Sequence, residues 1–360
     1  MTPRGRTGDG RLRLGVAGCG RVFERFHLPA LERSRHWTLV GAADPLADRR
    51  EAACRRVPGL LVYHFLDELI ENHPLDAILI CTPPPTHCDL SVKALQAGLH
   101  VLVEKPMAVS LAEGLLMERT AGRARRRLQV GFSRRFRRPY QTLRERIGGL
   151  PRGEVEGVHL ELFFPSEKWH SVTHGLGIEA EGGGVLDDVA SHQLDLLPWL
   201  LGEALTHVRV RHWNGEEGSG RIEFDLRFKS GLEASCLAGH AGAYSEVIGL
   251  RLQGRRLVAS ATGVLVAPRL PASWLSGLCR TWAEADFLLR RLTRRPGITL
   301  QSFMTQLDCF AAAVRGDEDG AWGADAASGI RCLQAIQACR ESVEAGGSWR
   351  PAGAQEWIAR

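Results

Sequence analysis

Short apolar runs recur along the first third of the chain, each separated from the next by residues of more polar, helical spacing. Leu12 to Ala17, Thr38 to Ala43, Ala77 to Cys81, His100 to Val103 and Leu128 to Phe132 have the length and texture of strands buried on both faces. Between them Val22 to Arg33, Ala47 to Arg56 and Thr86 to Ala97 read as helices. Strands alternating with helices predict a parallel, doubly wound sheet. From about Gly153 the period shortens to two. In Arg221 to Phe228 the residues Ile222, Phe224, Leu226 and Phe228 fall on one face, and Glu223, Asp225 and Arg227 on the other; Val158 to Phe163 alternates in the same way. That pattern predicts half-exposed strands of an open, mostly antiparallel sheet, continued at Thr206 to His212, Leu232 to Leu237, Val247 to Leu252 and Arg256 to Ser260. A glycine run leading into an amphipathic helix, Gly182 to Leu201, interrupts this series. Phe303, Leu307, Phe310 and Val314 at helical spacing, then a stretch from Asp325 to Ala345, predict two closing helices. Helices on one face of the second sheet leave its other face for a partner subunit.

The chain has 360 residues, which at roughly 150 per domain is two domains. Hydrophobic content of 44% and charged content of 24% are those of an ordinary globular protein. No apolar run approaches the roughly 18 residues that span a bilayer, and Met1 to Arg13 lacks the apolar centre of a signal peptide, so a cytoplasmic protein without a membrane partner is expected. The nine cysteines form no C-x-x-C pair and read as reduced, structural thiols. A net charge of +5 is spread along the chain rather than gathered into a stripe, so no nucleic-acid partner is expected. Of the 46 basic residues only Lys93, Lys105, Lys168 and Lys229 are lysine. In such a chain each lysine is a candidate for chemistry that arginine cannot perform, because only lysine gives up its proton at accessible pH.

The candidate chemistry clusters at the ends of the apolar runs. Gly18 and Gly20, with Arg21 and Val22 opening the following helix, sit where a dinucleotide fingerprint lets backbone approach a pyrophosphate; Phe23 stands where a small residue is usual. Asp44 closes the second run and suits a carboxylate accepting from the adenosine ribose hydroxyls, or alternatively a helix cap before Pro45. Thr82, Pro83, Pro84 and His87 form a rigid loop after the third strand. Glu104, Lys105 and Pro106 end the fourth, with Lys105 pointing into the same crevice. Asp188 and His192 lie four apart and share a face if helical. His192 could equally be a buried helix residue bonded to a carbonyl. His170 and His174, four apart and near Glu179, Glu181 and Asp188, raise the alternative of a metal site, but their Gly- and Ser-containing loop does not fix ligand spacing, and no metal is expected. Trp169, His170 and His174 are instead read as shaping a substrate pocket, with Arg135 as a further substrate contact.

These residues resemble the Gfo/Idh/MocA oxidoreductase family, the relatives of glucose-fructose oxidoreductase and inositol dehydrogenase. Glu104-Lys105-Pro106 and the stretch from Gly182 to His192, with Ala190 in place of a glycine, carry the resemblance; the Thr82 to His87 loop and Gly131 to Phe136 are also similar. The resemblance implies a Rossmann domain binding NAD or NADP over 12–133 and a substrate-binding and oligomerising α/β domain over 134–345; the start over 1–11 reads as a disordered extension and the end over 346–360 as a tail. It further implies that Lys105, Asp188 and His192 surround the reacting carbon, that Glu104 and the loop residues hold the cofactor, and that the protein is a homo-oligomer, a dimer or tetramer. The activity implied is hydride transfer at a secondary alcohol or ketone of a sugar, cyclitol or polyol. Two other readings stay open at this point: an NAD-retaining glycosidase working by transient oxidation, and a cofactor-sensing regulator without chemistry. Asp44 favours NAD over NADP, although Arg49 and Arg50 lie only a turn beyond.

Overall fold

The computed structural model describes residues 10–151, 153–165, 184–214, 220–241, 244–253, 255–260, 263–267, 297–317 and 322–353. Strands β1 (Leu12–Ala17), β2 (Trp37–Ala43), β3 (Leu61–Tyr63), β4 (Ala77–Ile80), β5 (His100–Val103) and β6 (Leu128–Val130) pair in parallel in the order β6-β5-β4-β1-β2-β3. Helices Ala47–Arg56, Leu66–Asn72, His87–Gln96 and Leu111–Ala124 connect them. Burial on both faces explains the unbroken apolar runs: β1 and β4 are buried at every position. The strand order reverses between β1 and β4, which places the loops after these two strands at the switch point where ligands bind in such sheets.

Two compact units divide the chain. One runs to Ser133 and takes in Thr299–Ile330; the other runs from Arg134 to Ile298 and resumes at Arg331. Residues 299–330, assigned by the sequence reading to the second domain, therefore belong to the first unit. The reason is aromatic packing across long sequence separation. Phe303, Leu307 and Phe310 on helix Ile298–Arg315 are buried in the core of the first unit. The Trp37 indole N–H donates to the Leu307 carbonyl at 2.8 Å, the ring stacks on Phe310 with centroids 5.2 Å apart, and Phe26 stacks on Phe303 at 5.1 Å. Each such burial contributes roughly 1.5–3 kcal/mol, enough to recruit a distant helix. A two-residue strand, Ala324–Asp325, then adds antiparallel to β6.

The second unit is built on β7 (Val155–Pro165), β8 (Leu205–Trp213), β9 (Arg221–Phe228), β10 (Glu233–Ala241), β11 (Ser245–Leu252), β12 (Arg255–Ser260) and β13 (Gly263–Ala267). Their order is β13-β12-β11-β7-β10-β9-β8, with only β7–β10 parallel. Register puts Leu160, Phe224, Cys236 and Ile248 side by side on the inner face, all fully or almost fully buried. The outer face carries ion pairs: Arg209–Asp225 at 2.6 Å, Arg211–Asp225 at 3.1 Å, Arg221–Glu223 at 2.7 Å and Arg227–Glu233 at 2.8 Å. Arg350–Pro351 pairs with β8, so the expected tail is ordered sheet over those residues.

The Gly182–Leu201 segment departs from its amphipathic expectation. A π-helical turn, Leu186–Ala190, leads into helix Ser191–Leu201, and every residue from Ser191 to Leu197 is buried. A helix buried on all sides must partner its polar groups internally. Gln193 donates to the Leu160 and Leu237 carbonyls at 3.3 and 2.9 Å, and Asp195 accepts from Arg135. Among the described residues, no helix is long and apolar enough to cross a membrane.

Candidate active site

In the first unit the turn after β1 is set by Gly18. Its φ of +95° is one that side-chain-bearing residues rarely adopt, and a Cβ there would stand 2.8 Å from the backbone of Cys81 and Thr82. The Gly18 N–H donates to the Ala43 carbonyl at 2.7 Å, tying the turn to the end of β2. Gly20 has no such internal need: a Cβ there would meet only the Arg49 guanidinium, at 3.4 Å. Its bareness instead leaves the turn open to an incoming group. Arg21 and Val22 are half-buried at the start of the following helix. Phe23 is buried in the core, and the turn it opens, Phe23–His27, is π-helical.

Asp44 is only 2% exposed, and its carboxylate staples two pieces of backbone. The Cys19 N–H donates to Oδ2 at 2.8 Å, and the Leu46 N–H to Oδ1 at 2.9 Å. The cap reading and the ribose reading are thus compatible: the oxygens retain lone pairs beyond those two bonds. Burial, with Asp44 beside it, pushes the Cys19 thiol up to about 12, so this cysteine is inert.

Lys105 follows β5, half-buried, between two clamps. On its N-terminal side the Glu104 Oε1 lies 2.7 Å from His27 Nε2, and Oε2 accepts from the Lys105 N–H at 3.2 Å. Gly131 makes room for that carboxylate: a Cβ at 131 would sit 3.0 Å from all three of its atoms. His27 is wholly buried, edge-on to Phe303, and its Nδ1 has no hydrogen-bond partner among the described residues. On the C-terminal side His87 bridges two loops, with Nδ1 2.8 Å from the Pro106 carbonyl and Nε2 2.8 Å from that of Thr82. Burial lowers the His87 pKa, against the two carbonyls that favour the cation. A neutral ring donates to only one carbonyl at a time.

These contacts bear on two residues expected to hold the cofactor. His87 is fully buried with both nitrogens on backbone carbonyls, so it braces the loop of Thr82, Pro83 and Pro84 and does not offer a nitrogen to a cofactor. Glu104 acts through His27 and the Lys105 backbone rather than as a free carboxylate. Thr82, Pro83 and Pro84 are half-buried, with the Thr86 hydroxyl donating to Thr82 Oγ1 at 2.7 Å.

The second unit carries Asp188 in the π turn and His192 in the first turn of the helix that follows, each 6% exposed. His240, at the end of β10, brings Nε2 to 3.8 Å from Asp188 Oδ2. Phe164 stands edge-on to His192 at 6.0 Å between ring centroids, stacks on Tyr244 at 6.0 Å, and lies under the Arg134 guanidinium at 5.1 Å. Beneath this aromatic pair Glu246 accepts from Arg134 at 2.8 Å, from Arg137 and from the Tyr244 hydroxyl. Burial opposes its charge, but the two guanidiniums prevail and hold Glu246 down at about 2.

Arg135 is the residue expected to contact a substrate. It forms a two-pronged pair with Asp195, Nε to Oδ2 at 2.9 Å and Nη2 to Oδ1 at 2.5 Å, with both side chains buried. Two of its five N–H donors are thus engaged in a buried ion pair. Trp169, His170 and His174 lie outside the described residues, as do Glu179 and Glu181. Among the described residues no group of three or more His, Cys, Asp or Glu could hold a metal. The sequence reading missed His27, His240 and Phe164, and took Gly131 only as part of the Gly131 to Phe136 resemblance. His27, seven residues past Gly20 on the first helix, was the one with a positional signal.

A glycine turn and a buried acid at the carboxyl end of a parallel sheet, joined to a unit with a half-covered antiparallel sheet, define a two-unit dinucleotide-binding protein. The chain belongs to the Gfo/Idh/MocA family: residues 12–132 match its oxidoreductase model, an NAD-binding Rossmann fold, and residues 140–259 match the GFO/IDH/MocA C-terminal domain. The rhizopine catabolism protein MocA of Rhizobium meliloti is 32% identical over 200 residues, 56% of this chain and 60% of that protein. An inositol 2-dehydrogenase of Leifsonia xyli is 32% identical over 205 residues, 56% and 57% of the two chains. The matched region thus spans about 57–60% of those relatives' length. The fold extends further. The WlbA dehydrogenase of Bordetella pertussis, solved with NADH and UDP-GlcNAcA, superposes with a TM-score of 0.76 at 21% identity over 96% of this chain and 99% of that one. The scyllo-inositol dehydrogenase of Lactobacillus casei, solved with NAD(H) and scyllo-inositol, gives 0.75 at 17% identity over 96% and 100%.

Proposed function

We propose that the protein is an NAD-dependent oxidoreductase acting on a secondary alcohol or ketone of a sugar, cyclitol or related polyol. One observation carries the cofactor half of this reading: the Gly18 turn, bare at Gly20, beside an almost fully buried Asp44 at the end of β2. These residues fit a dinucleotide, with room for a pyrophosphate at the helix start and a carboxylate for the ribose. When bound, the nicotinamide supplies hydride-accepting or hydride-donating carbon. The chain's own task is the proton. Oxidising a C–OH group requires its oxygen to lose a proton, and reduction requires one to be returned. Lys105, Asp188 and His192 are the residues proposed to hold and move it. His192 carries the imidazole suited to exchanging that proton, and Asp188 orients or polarises its neighbours. The Glu104–His27 and His87–Pro106 clamps fix the backbone on either side of Lys105, so its ammonium is presented from a rigid stem.

The ligands of the solved relatives support this substrate class: scyllo-inositol for one and UDP-GlcNAcA, a nucleotide-linked sugar acid, for another. A second copy of the chain covers the outer face of the antiparallel sheet, and the protein works in the cytoplasm. Screening inositols, sugars and sugar acids for a change in nicotinamide absorbance, with NAD and with NADP, tests the reading. A polyol that reduces NAD supports it. Failure of the protein to bind either dinucleotide overturns it.

A further inference from the structure

Arg49 occupies an unexpected place. It lies on helix Ala47–Arg56, yet its Nη1 and Cζ stand 3.4 and 3.7 Å from the position a Gly20 Cβ would take, over the open side of the glycine turn. Its neighbour Arg50 folds the other way and spends Nη1 on the carbonyls of Asp44 and Pro45, at 2.7 and 3.0 Å. Arg49 faces Asp44 Oδ2 at 3.9 Å, a distance that balances charge without using its donors in a hydrogen bond. The side chain is 27% exposed, so those donors reach solvent where Gly20 leaves the turn bare.

We propose that Arg49 is a phosphate ligand of the bound dinucleotide. The inference rests on the reading that the cofactor lies on the Gly18-Cys19-Gly20 turn. A guanidinium is a planar fork of donors suited to phosphate oxygens, and Asp44 at 3.9 Å holds it over the turn before the ligand arrives. Two phosphate sources share this chemistry: the pyrophosphate, common to NAD and NADP, and the 2′-phosphate of NADP alone. The position over Gly20 favours the pyrophosphate. Arg49 would then offset the negative charge that Asp44 places beside an anionic ligand.

The test is equilibrium titration of NAD, NADP, ADP-ribose and adenosine into the wild-type protein and the variants Arg49→Gln and Arg49→Lys, at low and high salt. A half-buried helix position with its head group reaching solvent tolerates glutamine, and unchanged thermal melting verifies the fold. The loss of a charge-assisted contact predicts roughly tenfold or more weaker binding of NAD, NADP and ADP-ribose by Arg49→Gln, with adenosine unaffected and partial recovery in Arg49→Lys. The salt dependence of binding should fall with the lost charge. Weakening confined to NADP also supports a phosphate ligand and assigns it to the 2′-phosphate. Unchanged or tighter dinucleotide binding in Arg49→Gln overturns the proposal, because Arg49 would then only neutralise Asp44 or obstruct the turn. Dinucleotide binding by the wild type without turnover on any polyol would count against the proposed reaction and leave this inference standing.

Discussion

Replacing Asp195 by alanine should destabilise the second unit strongly, and the size of the effect separates a structural Arg135 from a substrate-binding one. Asp195 and Arg135 are joined by two hydrogen bonds, with side chains 2% and 8% exposed. Removing the carboxylate leaves a guanidinium buried beside helix Ser191–Leu201 with no counter-charge. Breaking a buried pair in this way costs about 3–5 kcal/mol. For a unit of this size each kcal/mol lowers the melting temperature by roughly 2–4 °C, so a drop on the order of 10 °C is expected in scanning calorimetry. The double variant Arg135→Met/Asp195→Leu removes both charges and fills the space with apolar groups. It should recover most of that loss, since such replacements are often neutral. The reasoning is refuted if Asp195→Ala melts within about 2 °C of the wild type while Arg135→Met raises KM on a substrate.

Two further outcomes follow from the first unit. Gly18→Ala forces a Cβ to within 2.8 Å of the Cys81–Thr82 backbone at a φ of +95°, so dinucleotide affinity should fall by at least tenfold, measured by titration. Burial, aided by Arg126 and Arg127, holds the His100 imidazole down at about 4 against an ordinary 6.5. Between those values the unfolded chain binds a proton that the folded chain refuses, so stability is full above about pH 6.5 and declines as pH falls toward 4. Urea midpoints at several pH values should show this decline, and His100→Gln should flatten it.

Periodicity made the strands legible because it reports burial, and burial is what the strands share. β1, β5 and β9 begin and end where the apolar runs or the alternation do. β3 escaped because its three residues are exposed or half-buried and carry no contrast. What periodicity does not report is the partner. Helix Ile298–Arg315 shows a clear apolar stripe, but only the Trp37–Phe310 and Phe26–Phe303 stacks reveal that the stripe belongs to the first unit. The same limit governs the polar residues. Arg135 looked available to a ligand until Asp195, sixty positions away, was found to take both its prongs. His87 looked like a cofactor contact, yet its loop turns the ring inward onto two carbonyls. Gly18, Asp44 and Lys105 each stand just beyond a strand end, which the apolar runs alone mark in the sequence.

The central claim, that Lys105 and a dinucleotide on the Gly18 turn act together on a polyol, is tested most directly by Lys105→Met. Methionine keeps the apolar stem and removes the exchangeable proton. With a substrate from the polyol screen, single-turnover absorbance at the nicotinamide should slow by roughly 10²–10⁴-fold, the worth of general acid–base assistance, while NAD affinity stays within a few fold. Normal turnover by Lys105→Met on that substrate would contradict the account.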